Sequence, residues 1–241
     1  MNYRGSGGFT QKLENEGYGQ WGDKMLDDMI DATEWAIDNN IAIKDKIAIF
    51  GGSYGGYAAL AQLAFNPDVF ACGVSTMGVS NLTSFMYNDY GSLEEWTKII
   101  GYSTSTPPGR EFLAKRSPVN FVENIKKPLL IEHGETDTRV LIIQSEQMVE
   151  AMKEKNRTVT FIKHPDEGHG WQKNTNVISF FAVVENFLQK CLGGDAESLG
   201  EALDDSSIII VEKGDMDILI KSNTSLEEID ILASGEAAAD A

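Results

Sequence analysis

The sequence predicts an α/β domain built on a parallel sheet with helices on both faces. Three observations carry that expectation. Short apolar runs alternate with longer amphipathic stretches from about residue 21 to residue 192, the pattern of strands joined by crossover helices. One junction, Gly51-Gly52-Ser53-Tyr54-Gly55, is a glycine-rich turn between an apolar run and an Ala-rich helix. The loops after two later strands are dense in Asp, Glu and His, and in open α/β sheets reacting groups gather beyond the carboxyl ends of the strands.

Taken in order, Asn2 to Phe9 reads as the end of a strand entering a glycine-rich loop. Trp21 to Asn40 is a helix, with Met25, Met29, Ala32 and Ala36 on one stripe and Asp27, Asp28, Asp31, Glu34 and Asp38 on its solvated face. Ile47 to Phe50 is a buried strand, the helix from Tyr57 to Ala64 ends near Asn66-Pro67, and Val69 to Thr76 is a second strand. A helix linking two strands in this way makes the pair parallel. Asn81 to Arg116 breaks the alternation: Phe85, Tyr87, Tyr90, Trp96, Tyr102 and Phe112 mark a helical excursion over the sheet. Most of these aromatics are expected to pack the excursion down, and some to line a pocket. Strands at Pro128–His133 and Thr158–Lys163 follow, separated by a helix from Leu141 to Lys155. A closing helix runs from Thr175 to Cys191 with Val177, Phe180, Phe181, Val184, Phe187 and Leu188 inward, and Gly193-Gly194 stops it.

Composition narrows the function. The chain has 241 residues, 42% of them hydrophobic, enough for one well-filled domain with an appendage. Its formal charge of −17 excludes a nucleic-acid partner, which needs a basic face. Residues 195–241 hold 13 of the 37 acidic residues and two of the 20 basic ones, so the body before them is only mildly acidic. No apolar run approaches the roughly 18 residues of a membrane span, and Met1–Gly5 lacks a leader's apolar stretch. The compartment stays open between cytoplasm and periplasm or exterior. Cys72, inside an apolar run, reads as a small buried hydrophobe rather than a disulfide partner. Neither it nor Cys191 has zinc-site spacing, and no cofactor is called for.

Gly51-x-Ser53-x-Gly55 has the form of a nucleophile elbow. Small residues two before and two after the serine let strand and helix approach, where larger side chains would clash. Ser53 is lifted clear of the sheet and the Tyr54 N–H is aimed at an oxyanion. A serine needs a base near neutral pH. Of three histidines, His133 closes a strand, His164 precedes a proline, and His169 lies between two glycines, free to bring its imidazole to another loop. The acid is expected at Asp137, in the loop after the third strand of the alternation. Glu135 competes with it, while Asp166 and Glu167 are too near His169 in sequence to reach the far side of its ring. The chain order Ser53, Asp137, His169, each after a strand, is that of α/β-hydrolase triads. Arg139 either enters the same cleft, where a guanidinium binds a substrate carbonyl, or pairs with an acidic neighbour at the surface.

Together, Asn2-Tyr3-Arg4-Gly5-Ser6, Gly19-Gln20-Trp21-Gly22, Gly51 to Tyr57, Ser117-Pro118, His133-Gly134 with Asp137 and Val140, and Asp166-Glu167-Gly168-His169 resemble the catalytic domain of the prolyl oligopeptidase family. The acylaminoacyl-peptidase and dipeptidyl-peptidase branches are the most alike, and the match spans residues 2–192. The resemblance implies an α/β-hydrolase fold and hydrolysis of short peptides through an acyl-enzyme. Ser53, Asp137 and His169 would be the triad, the Tyr54 backbone an oxyanion donor and Arg139 the carbonyl-binding arginine; Phe85 and Tyr87 are candidates for the side-chain pocket. A carboxylesterase with the same triad, or a fragment serving only in assembly, are the rival readings.

The resemblance also places a propeller, the first sheet strands and a His-Gly-Gly-type loop with the second oxyanion donor ahead of Asn2. The chain therefore reads as a catalytic domain truncated at its N-terminus, spanning residues 1–194. The expected partners are a peptide substrate and either that N-terminal segment or a second copy. Residues 195–241 read as an acidic tail, with Ser207–Val211 and Met216–Ile220 forming a hairpin and disorder beyond Leu226.

Overall fold

The computed structural model describes residues 1–88 and 93–214. Its centre is one sheet of five strands in the order β1 (Ala48–Gly52), β2 (Cys72–Thr76), β3 (Leu129–Gly134), β4 (Thr160–His164) and β5 (Ile209–Lys213). The first four are parallel and β5 runs antiparallel to β4. Gly52 pairs with Thr76, Thr76 with Glu132 and Gly134 with His164, so the loops that leave β1, β3 and β4 open on the same end of the sheet.

Both faces of the sheet are covered. On one, Leu129, Ile131 and Phe161 meet Leu60 and Leu63 of α3 (Tyr54–Phe65) and Met148 and Met152 of α7 (Ile143–Glu154). On the other, Cys72, Val74, Leu130 and Ile162 meet Phe180, Val183, Val184 and Phe187 of α8 (Asn174–Leu192). Every residue of β3 is buried, as an interior parallel strand requires. The helix α3 is buried from Gly56 to Ala64, which its nearly all-apolar sequence permits. Beyond it lies α2 (Lys24–Asp38), whose Leu26 carbonyl accepts a 2.8 Å hydrogen bond from buried Gln62. Among the acidic residues of α2, Asp28 is not simply solvated: it takes the Arg4 side chain at 2.5 and 2.8 Å and the Arg4 amide at 2.9 Å, tying the N-terminal loop down.

The excursion contains α4 (Leu82–Asn88), α5 (Leu93–Ile100) and α6 (Pro107–Lys115). Phe85 and Trp96 pack edge to face at 4.9 Å within an apolar cluster that includes Trp21, Tyr57 and Leu113. Tyr90 lies outside the described residues. No helix among the described residues is long and apolar enough to cross a membrane.

Two sequence expectations change. Cys72 is buried as expected, yet it is bonded to Cys191. It opens β2 facing α8, and the last turn of that helix brings Cys191 to a Cα separation of 6.3 Å, within disulfide reach. The 119-residue separation gave no local sign of this. The segment after residue 194 also joins the domain: Ile209–Lys213 extends the sheet beside β4, and the Ser207 amide donates to Asn176 at 3.0 Å. The expected hairpin partner Met216–Ile220 lies outside the described residues.

Candidate active site

Ser53 stands between β1 and α3 with φ 57° and ψ −117°. A positive φ is strained for a residue with a Cβ. The turn is held by the Ser53 amide donating to the Thr76 carbonyl and the Tyr57 amide donating to the Ser53 carbonyl, both at 3.0 Å. The glycines act differently from the sequence expectation. A Cβ at Gly51 would stand 2.5 Å from the Gly55 carbonyl carbon, but one at Gly55 would meet nothing within 4 Å. The second tight position is Gly56, where a Cβ would lie 2.7 Å from the Gly78 Cα. Gly55 matters because its backbone is what Gly51 packs against.

Tyr54 begins α3, where a backbone N–H has no intrahelical acceptor and the helix end carries partial positive charge. Its ring turns away to Trp21 at 4.6 Å, Tyr57 at 5.7 Å and Tyr3 at 5.8 Å. Burial pushes the Tyr54 and Tyr57 phenols far above the ordinary tyrosine value, so both are neutral.

His169 reaches across from the loop after β4. Its Nε2 lies 3.0 Å from Ser53 Oγ and its Nδ1 2.7 Å from Asp137 Oδ2. A carboxylate can only accept, so Nδ1 carries the proton and Nε2 is left to accept from the serine hydroxyl. Asp137 is 3% exposed and also accepts the amides of Arg139 at 2.8 Å and Val140 at 3.0 Å. Burial alone would raise its pKa; hydrogen bonds from His133, His169 and the two amides outweigh it and hold the carboxyl at about 2. An ionised acid bonded to Nδ1–H fixes the imidazole tautomer and favours a developing imidazolium.

The competing carboxylates are placed elsewhere, while His133 stays beside Asp137. Glu135 is exposed and paired with Lys163 at 2.7 Å. Glu167 accepts the amides of Gln172 and Lys173 at the start of α8, and Asp166 pairs with Lys173. His133 is fully buried: its Nε2–H is shared between the Val140 carbonyl at 2.7 Å and Asp137 Oδ2 at 3.4 Å, and its Nδ1 accepts from Ser145 at 2.7 Å. His164 is also fully buried and has no surface role. Among the described residues no group of three or more His, Cys, Asp and Glu side chains could hold a metal ion.

The family model described as the prolyl oligopeptidase family matches residues 1–195. The chain belongs to the prolyl oligopeptidase family. It is 45% identical over 214 residues to dipeptidyl aminopeptidase BIII of Pseudoxanthomonas mexicana, an alignment covering 87% of this chain and 31% of that protein. To dipeptidyl peptidase family member 6 of Caenorhabditis elegans it is 41% identical over 218 residues, covering 89% and 30%. The chain thus spans about a third of the length of these relatives. A puromycin-hydrolyzing peptidase of Mycobacterium tuberculosis superposes with TM-score 0.76 at 28% identity, covering 82% of this chain and 30% of that one. The fold is that of the family's α/β-hydrolase domains.

On this prolyl oligopeptidase-family scaffold, the residues expected to meet substrate are unevenly placed. The Arg139 side chain is exposed, with no hydrogen bond or ion pair among the described residues. Tyr87 is exposed on α4, whereas Phe85 is only 5% exposed and faces the apolar cluster. Sequence reasoning passed over Glu132, a fully buried carboxylate in the apolar run of β3. A charged residue in such a run was a usable signal.

Proposed function

We propose that this chain is the catalytic segment of a serine peptidase that hydrolyses short peptides through an acyl-enzyme. The observation that carries the reading is the continuous hydrogen-bonded series from Ser53 Oγ through His169 to Asp137 at one end of the sheet. In this reading Ser53 attacks the scissile carbonyl while His169 Nε2 takes its proton and returns it to the leaving amine. Asp137 holds the imidazole and stabilises its charge. The Tyr54 N–H donates to the oxyanion. Water then releases the acyl group, with His169 again as base. The dipeptidyl aminopeptidase named among the relatives supports an amide over an ester leaving group. Arg139 is the proposed carbonyl ligand and Tyr87 the exposed part of the side-chain subsite; Phe85, packed beneath the surface, can act only as support.

The test is a fluorophosphonate probe on the full chain, followed by turnover of dipeptidyl and aminoacyl amides against simple esters. Labelling of Ser53, its loss in Ser53→Ala and amide turnover are expected. Ester-only turnover would make the protein a carboxylesterase, and folded protein that takes no label would leave a non-catalytic assembly role.

A further inference from the structure

The fully buried carboxylate of Glu132 is not used by the chemistry above, and its surroundings suggest what it does. Glu132 lies in β3, paired with Thr76 on one side and Ile162 on the other, where an aliphatic residue would cost far less to bury. No Lys or Arg is bonded to it among the described residues. Its Oε1 accepts the Trp171 Nε1–H at 3.1 Å and lies 3.0 Å from His164 Nδ1, while Oε2 has no partner. His164 is the last residue of β4 and Trp171 follows Gly170. One oxygen on the neighbouring strand therefore holds both ends of the six-residue loop, 165 to 170, that carries His169.

The rest of that loop is tied to the Asp137 loop and, through the Asp166 and Glu167 carboxylates, to the start of α8. The Thr136 amide and hydroxyl both donate to the Glu167 carbonyl, at 2.9 and 2.7 Å, and the Glu135 amide donates to the His164 carbonyl at 2.9 Å. Within the loop the Gly170 amide donates to Gly168 at 2.9 Å, and Gly170 has φ 120°. Trp171 is further fixed by stacking on buried Phe180 at 4.4 Å. Beside the β3–β4 ladder that pairs His164 with Gly134, Glu132 is the side chain that joins the loop's two ends to the strand leading to Asp137.

We infer that Glu132 is a positioning residue that sets the placement of His169 by clamping His164 and Trp171 at the two ends of its loop. The inference rests on the proposed catalytic role of His169. A carboxylate–histidine–tryptophan clamp is directional, and an aliphatic residue of similar volume cannot reproduce it. Displacement of a catalytic group by about 1 Å can cost on the order of 100-fold in rate.

The experiment compares Glu132→Leu, Glu132→Gln and Trp171→Phe in the full chain. Two readouts are used: the rate of fluorophosphonate labelling, and the ¹H NMR signal of the His169 Nδ1–H bonded to Asp137, assigned by its loss in Asp137→Asn. Expected results are a fall of roughly 10- to 100-fold in labelling and a lost or broadened imidazole signal for Glu132→Leu. Trp171→Phe should fall by about 10-fold, because it keeps an aromatic ring against Phe180 while removing the N–H and one ring of the indole. Glu132→Gln, which keeps an acceptor for both donors, should recover most of the rate and the signal. Wild-type labelling and imidazole signal in folded Glu132→Leu would overturn the inference, and if that variant does not fold, the same result in Trp171→Phe would do so. Failure of wild-type protein to label at Ser53 would count against the proposed function instead, and the NMR comparison would still decide the clamp.

Discussion

The two flanks of this sheet are finished to different degrees. Around β3 and β4 the loops interlock: Asp137 and Glu167 each accept several hydrogen bonds, and each strand has a neighbour on both sides. Among the described residues β1 pairs with β2 alone. Phe50 is 49% exposed and Ile41, Ile43, Ile178 and Phe181 are exposed on described segments. The hydrogen bonds of the Ser53, His169 and Asp137 series all run toward β3 and β4. The elbow is fixed from the β2 side, through the Thr76 carbonyl, and its partners come from β3 and β4.

Breaking the interlocked side should have the larger consequences. Asp137→Asn should lower the rate of acylation about 10⁴-fold while leaving the fold intact, because an amide can stabilise the wrong imidazole tautomer; pre-steady-state acylation alongside circular dichroism checks this. Gly51→Ala should destabilise the protein by about 3 kcal/mol, since the new Cβ would meet backbone rather than a movable side chain. Gly55→Ala, with open space around it, should cost far less, and a difference of less than about 1 kcal/mol in urea melts would refute the assignment of the tight contact to Gly51.

Acid provides a milder probe. The Asp137 carboxyl is held at about 2, below its ordinary value of 3.8. A depressed folded pKa means the ionised form stabilises the native state, fully above the ordinary value and progressively less as pH falls from about 4 toward 2. Roughly 2 kcal/mol should be lost across that window. Melts at stepped pH should show the loss in wild type and a smaller slope in Asp137→Asn. On the open side, Phe50→Gln should change stability by under about 1 kcal/mol, because half of the ring is already in water. Urea melts of the variant check this, and a loss of more than about 2 kcal/mol would show that the ring is packed more tightly than its exposure indicates.

Much of this arrangement was legible in the residues. From Ile47 onward the strands, the long helices and the helical excursion follow the apolar periodicity, with boundaries displaced by a few residues; the strand end expected at Asn2 is instead turns and bends, and Phe181, expected to face inward, is exposed. Ser53 could be picked out because a positive φ between strand and helix leaves a local mark in glycines. The roles of the neighbouring glycines were less legible, since whether a Cβ clashes depends on a second segment: Gly51 on Gly55, Gly56 on Gly78. Asp137 was chosen over Glu135 from its place in the loop, and the turn there sends Asp137 inward to His169 and Glu135 out to Lys163.

The α/β alternation, the parallel order of the core strands, the elbow at Ser53 and the family to which the chain belongs could all be read from the residues, because periodicity and short motifs are properties of neighbours along the chain. Only the tertiary structure decided the pairing of Cys72 with Cys191, the addition of β5 beside β4, the burial of Phe85 and the clamp of Glu132 on His164 and Trp171. Each of these joins residues that are remote in sequence or depends on which face a packed element presents, and such contacts exist only once the sheet has brought its strands together.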